Sequence, residues 1–172
     1  MSGAVKLLLG LAAALLVHLV GSRLFPDFPR VMDVFLVVVA LHALSGNTLT
    51  GLLVGMAVGL VHDTLTGGLY GLYGFADTIV GYGTARLAQR LVIQRATGVF
   101  AVVGLASVLQ QVVLVGLTFL LLPDPALPRP WWALAKAVAG GFLGMVIYAV
   151  AGSLGRNYES RRRSRMSRLR LD

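Results

Sequence analysis

The sequence predicts an all-α integral membrane protein with six transmembrane helices. Of its 172 residues, 57% are hydrophobic and only 13% are charged, and the mean hydropathy is +0.82. Soluble domains are roughly 45–50% apolar and about 25% charged. Because a helix needs about 20 apolar residues to cross a bilayer, six crossings would use most of the chain and leave no room for a soluble catalytic domain.

Six apolar runs define the predicted spans. They cover residues 4–20, 31–44, 49–65, 69–85, 97–122 and 131–154. The second run is the shortest, and it reaches a usual length only if Asp33 and the turn at 45–47 are counted into its ends. If it did not cross the membrane, every later span would have the opposite orientation.

The basic residues predict which ends face the cytoplasm. With six spans, eleven of the fifteen lie on the side of both termini, and the other four, Arg23, Arg30, Arg129 and Lys136, lie on the opposite side. Basic residues accumulate on cytoplasmic loops, so both termini are expected inside. The first run follows Lys6 and resembles a secretory signal, but it is longer than a usual signal core and we expect a retained anchor.

The chain therefore divides into a six-helix transmembrane domain at 1–155 and a basic cytoplasmic tail at 156–172. Arginines dominate the tail, and the densest group is Arg161, Arg162, Arg163 and Arg165. A basic segment beside a membrane binds anionic lipid with about 1 kcal/mol per residue. We expect these side chains to contact lipid or a cytoplasmic partner, and we do not expect nucleic acid as a partner.

The third predicted span carries a glycine ladder, which we define as Gly51, Gly55 and Gly59. Residues four apart lie on one face of a helix, and small residues there let two helices approach backbone to backbone in lipid. The sequence leaves two roles open for the ladder. It packs within the chain, or it binds the helix of a partner.

The ladder is followed by an acid and a glycine-rich turn. Asp63 ends the apolar run, and Gly67, Gly68 and Gly71 follow it. Aspartate side chains accept hydrogen bonds from nearby backbone amides and stabilise turns. We expect Asp63 to accept from the amides around residues 66–68.

Asp77 lies about midway along the fourth predicted span. An acid near the bilayer centre costs about 2.5–3.5 kcal/mol, so we expect it to be protonated or paired. Gln110 and Gln111 lie at a similar predicted depth, and an amide both donates to and accepts from a carboxyl group. A buried hydrogen bond that fixes helix register is the favoured interpretation, and a proton or substrate site is the alternative.

No catalytic or metal site is expected. His62 and Asp63 are sequence neighbours, so on a helix they point about 100° apart. His18 and Asp63 are predicted near the outer side and His42 near the inner side, so we expect the histidines and acids not to converge at one depth. The chain has no cysteine, nucleophile elbow or phosphate-binding glycine loop. We expect a protein that is not an enzyme and holds no metal or cofactor.

The chain as a whole resembles the rod shape-determining protein MreD family. The resemblance covers nearly the whole length, as a small six-span protein with Phe25-Pro26-Asp27 before the second helix. The segment 51–74 carries the match, because its glycine ladder leads to Asp63 and a double glycine.

This resemblance implies a non-enzymatic component of the cell-elongation machinery in the bacterial cytoplasmic membrane. Such a protein binds the single-span periplasmic protein MreC and helps couple MreB filaments to the glycosyltransferase RodA and its class B penicillin-binding partner. The family also resembles, in helix arrangement, the substrate-binding S components of energy-coupling-factor vitamin transporters, and that role is the alternative.

The two functions predict different surfaces. A scaffold should have an exposed glycine or alanine face and no polar cavity. A transporter subunit should have an outward-opening pocket lined by groups such as Asp63, Asp77, Gln110 and Trp131. A ligand pocket needs several convergent polar groups, and their scarcity in this sequence favours the scaffold.

Overall fold

The protein is an all-α bundle, as the sequence predicts. The computed structural model describes residues 3–90, 95–123 and 129–168, with side chains described as far as residue 153. The helices are α1 (Gly3–Leu24), α2 (Phe28–Val31), α3 (Val34–Ser45), α4 (Thr48–Thr66), α5 (Leu72–Arg90), α6 (Ala96–Leu121) and α7 (Pro130–Arg168). The short α2 and α3 together occupy the position of the second predicted span, and no strand occurs in these ranges.

Five of the six predicted spans are long and apolar enough to cross a membrane. They are α1, the segment Phe28–Ser45, α4, α6 and the part of α7 at Pro130–Ser153. The remaining helix, α5, is more polar, and it packs against α3, α4 and α6. These neighbours shield its buried polar residues, such as Asp77 and Thr84, from lipid.

Helix α3 lies at the centre of the bundle, in contact with α1, α4, α5, α6 and α7. Its buried residues belong to two apolar clusters. One cluster joins Leu36 and Val37 to residues of α5 and α6, such as Val103. The other joins Phe35 to residues of α1 and α4, such as Val58. In lipid this close packing is stabilised mainly by van der Waals contact. Helix α3 therefore connects α5 and α6 to α1 and α4.

The second predicted span is interrupted, which the sequence analysis did not anticipate. Helix α2 ends at Val31, Met32 and Asp33 are extended, and α3 begins at Val34. The Asp33 side chain accepts a hydrogen bond from the Leu36 amide at 3.0 Å. An aspartate that caps the first turn of a helix favours a new start over continuation of the preceding turn.

The glycine ladder packs α4 against the antiparallel α5. A Cβ added at Gly51 would lie 2.5 Å from the carbonyl oxygen of Gly81, and one at Gly59 would lie 2.5 Å from that of Tyr73. At Gly55 it would overlap the carbonyl oxygen of Asp77. Of the two roles left open for the ladder, this geometry corresponds to packing within the chain.

The two ends of the bundle are distinguished by the helices that begin and finish there. We call the end where α1, α4 and α6 finish and α2, α5 and α7 begin the tryptophan end, because Trp131 and Trp132 lie there. The backbone of α7 continues to Arg168, without a break at the predicted boundary between 155 and 156. The side chains of Arg161, Arg162, Arg163 and Arg165 lie outside the described residues.

Replacing Gly55 with alanine should destabilise the protein. The added Cβ would overlap backbone atoms of α5, which cannot rotate away as a side chain can. Overpacking of this kind typically costs about 1–3 kcal/mol of stability. Thermal unfolding of the purified protein in detergent measures the effect. Gly116→Ala in α6 is the matched control, because nothing lies within 4 Å of the added atom there. Equal unfolding temperatures for the two variants would contradict the packing role.

Candidate functional site

Asp33 is buried at the break between α2 and α3, with its residue only 4% exposed. Besides the Leu36 amide, its carboxylate accepts a hydrogen bond from Gln110 Nε2 at 3.1 Å. A carboxylate away from water is stable only when hydrogen bonds or opposite charges compensate for lost hydration. The interrupted helix therefore places an acid where the surrounding helices must supply partners.

Two basic side chains approach Asp33 without hydrogen bonding to it. His62 Nδ1 lies 3.8 Å from Oδ1, and Lys136 Nζ lies 3.9 Å from Oδ2. These separations are too long for hydrogen bonds. The ammonium group of Lys136 is still close enough to the carboxylate for strong Coulomb attraction in a buried environment. Lys136 was predicted on the side opposite the termini, within the span at 131–154, and it lies near the tryptophan end of α7. Because α7 begins at Pro130, Lys136 lies within the helix and is buried against Asp33.

Gln110 connects the two buried acids. Its Nε2 donates to Asp77 Oδ1 at 2.7 Å as well as to Asp33. An amide nitrogen carries two hydrogens, so both are used. Asp77 and Gln110 are completely buried, and their predicted pairing is confirmed. The single amide thereby joins α3, α5 and α6.

We call the side chains that meet here the Asp33 cluster: Asp33, His62, Asp77, Gln110 and Lys136. Three of its buried atoms have no hydrogen-bond partner within the described part of the chain, namely His62 Nδ1, Asp77 Oδ2 and Gln110 Oε1. Buried polar atoms usually have at least one partner, because an unsatisfied group costs free energy. The cluster therefore has more hydrogen-bonding capacity than its own residues use.

Aromatic rings surround the histidine of the cluster. His62 stacks on Phe35 with ring centroids 4.6 Å apart, and its centroid lies 4.0 Å from that of Tyr73. His18 approaches from α1, with its ring 5.9 Å from that of His62. These contacts connect α1, α3, α4 and α5 beside Asp33.

The prediction that the histidines and acids do not converge at one depth is wrong for all but His42, which lies in the last turn of α3, away from Asp33. His18 and His62 lie together beside Asp33, and Asp77 joins them through Gln110. The reason is that α2 and α3 place Asp33 inside the bundle instead of at its edge. Within the described residues, no three His, Asp or Glu side chains are arranged to hold a metal ion.

Asp63 stabilises the turn between α4 and α5, although not through the amides that were predicted. It accepts hydrogen bonds from Gly71, Tyr73 and Gly74 at 2.9–3.0 Å. Gly67, with a φ of 64°, ends α4 in the left-handed conformation that favours glycine. The chain then reverses and brings the first amides of α5, instead of those at 66–68, over the carboxylate.

A cleft of about 780 Å³ opens at the tryptophan end, between α2, α5, α6 and α7. Its polar lining contains Arg30, Arg129 and Lys136, together with Asp27, which pairs with Arg30 at 2.5 Å. Lys136 belongs to both the cleft and the Asp33 cluster. The side chain of Lys136 therefore connects the cleft to the buried carboxylate of Asp33.

The cleft has a different lining from the pocket expected for a transporter subunit. Asp63, Asp77, Gln110 and Trp131 are not among its lining residues, whereas Gln111 and Trp132 are. Adjacent helical residues point about 100° apart. Gln110 thus faces the centre of the bundle while Gln111 faces the cleft.

Comparisons with known proteins identify no relative. No protein-family model, no curated protein and no solved structure matches this chain.

Replacing Gln110 with leucine should destabilise the bundle, because both carboxylates lose their shared donor. A buried group left unsatisfied costs about 1–3 kcal/mol, and more when it is charged. The free energy of unfolding in detergent measures the loss. Gln111→Leu is the matched control, and we expect it to stay within about 0.5 kcal/mol of the wild type. A Gln110 variant as stable as this control would contradict the bridging role.

Proposed function

We propose that this chain is a non-enzymatic membrane scaffold of bacterial cell elongation, similar to MreD. It binds MreC and, with it, helps couple MreB filaments to RodA and the class B penicillin-binding protein. Both termini face the cytoplasm, the basic tail contacts anionic lipid or a cytoplasmic partner, and the tryptophan end faces the periplasm.

The observation that supports this proposal is the fold of the segment that carries the family resemblance. Residues 51–74 form one hairpin: the glycine ladder packs α4 on α5, Asp63 binds the first amides of α5, and Gly67 and Gly71 adopt positive φ in the turn. These features have mechanical roles, since they hold two helices in a fixed arrangement. A fixed arrangement of helices is what a scaffold needs to position its partners.

The face that binds a partner helix cannot be the glycine ladder, because α5 covers it. Helix α1 is the better candidate, since only 11% of its apolar window is buried, the lowest share among the five apolar spans. Ala12 and Ala13 are exposed on α1, so a single-span helix could approach closely there. We assign the MreC contact to this alanine pair.

The double substitution Ala12→Leu and Ala13→Leu should abolish co-purification of MreC from the membrane of the source bacterium, because the larger side chains prevent close helix approach. Gly116→Leu is the control, since Gly116 is also exposed and has open space around it, but lies on α6. Complex formation unaffected by the double substitution would contradict the α1 contact. Failure of the wild type to retain MreC would contradict the scaffold itself.

A vitamin-transporter S component is the second candidate, and the cleft favours it. An interrupted membrane helix beside a polar site is a recurring feature of transporters, and α2 and α3 provide one next to Lys136. The polar cavity is also the feature that was expected of a transporter and not of a scaffold.

Ligand binding separates the two candidates. An S component at a vitamin concentration of about 100 times its Kd should gain about 2.7 kcal/mol of stability, which raises the unfolding temperature. The scaffold proposal predicts no shift with any member of a vitamin panel. A saturable shift with one vitamin would support the transporter role and count against the scaffold.

A further inference from the structure

The cleft at the tryptophan end combines a basic rim with an apolar side. We propose that it binds the phosphate headgroup of an anionic membrane lipid, with an acyl chain along α6. This inference rests on the lining of the cleft and does not depend on the scaffold function.

The charge of the lining favours an anion. Among the described residues, three basic residues against one acidic residue give the lining a net charge of +2. Asp27 is paired with Arg30, and Lys136 lies near Asp33. Arg129 forms no salt bridge within the described ranges and lies exposed at the start of α7. Arg129 is therefore the cation most available to a phosphate group.

The position of these cations matches the depth of a lipid headgroup. Arg30 lies in the short α2, and Arg129 directly precedes α7, whose first turn contains Trp131 and Trp132. Tryptophans concentrate at the boundary between membrane and water. A lipid whose headgroup lies at this level can contact Arg129 without leaving the bilayer.

The apolar side distinguishes a lipid from a water-soluble anion. Leu114, Val115 and Phe119 of α6 line the cleft. Phe119 is 54% exposed, and Val112, on the same face of α6 but seven residues farther from the tryptophan end, is 63% exposed. The apolar surface therefore continues from the cleft to the lipid-facing side of α6, which a chain attached to the headgroup could follow.

Native mass spectrometry of the full-length protein in detergent tests the proposal. The protein is titrated with dioleoylphosphatidylglycerol, with dioleoylphosphatidylcholine and with glycerol 3-phosphate, which carries the phosphate without the chains. We expect phosphatidylglycerol to bind most tightly and glycerol 3-phosphate not to bind.

The variant Arg129→Gln should weaken phosphatidylglycerol binding about fivefold, which corresponds to about 1 kcal/mol for one basic residue near a membrane surface. Arg90→Gln, an exposed arginine at the opposite end of the bundle, is the control and should bind as the wild type does.

Three results would overturn the proposal. Equal binding of phosphatidylcholine would show that the charge of the cleft is not recognised. Glycerol 3-phosphate binding as tightly as the lipid would assign the cleft to a soluble anion. Equal losses in the Arg129 and Arg90 variants would assign the binding to the overall positive charge of the protein.

Discussion

The amide of Gln110 is the interaction on which the rest of the bundle depends. In lipid the hydrophobic effect does not favour one helix arrangement over another, so packing and buried hydrogen bonds must select it. Gln110 donates to Asp33 and Asp77 from the interior of α6. Asp33 caps the start of α3 and Asp77 lies on α5, and each acid has too little water around it to tolerate the loss of its donor. One side chain thus determines the mutual positions of α3, α5 and α6.

The break before α3 explains why so many polar groups lie together. A continuous helix from Phe28 would use its own carbonyl groups to satisfy the Leu36 amide, whereas the interrupted chain leaves that amide to Asp33. The acid then attracts the ammonium group of Lys136 and lies beside His62, and Lys136 extends the polar region into the cleft. The break therefore has two consequences. It limits the central apolar helix α3 to 12 residues, and it places the polar Asp33 cluster inside the bundle.

The sequence was sufficient to predict an all-α membrane protein and a buried amide partner for Asp77 at Gln110 or Gln111, because apolar runs and an acid within one of them are visible in the sequence itself. It also predicted close helix packing at the glycine ladder, but it left open whether this chain or a partner supplies the second helix. It was insufficient for the convergence around Asp33, which depends on a helix break and on tertiary contacts. A signal was nevertheless present. In the predicted spans, His18, Asp33 and His62 each lie two or three residues from the end that points toward the tryptophan end. Comparing these distances would have placed these three residues at one depth.

A double-mutant cycle between Asp33→Asn and Asp77→Asn tests the central claim most directly. If both acids accept hydrogen bonds from the Gln110 amide, either single substitution already weakens this three-residue network. The second substitution then lowers the free energy of unfolding by a smaller amount. The account predicts that the double variant is more stable than the sum of the single effects by about 1 kcal/mol or more, measured as the free energy of unfolding in detergent. Single effects that simply add would contradict it.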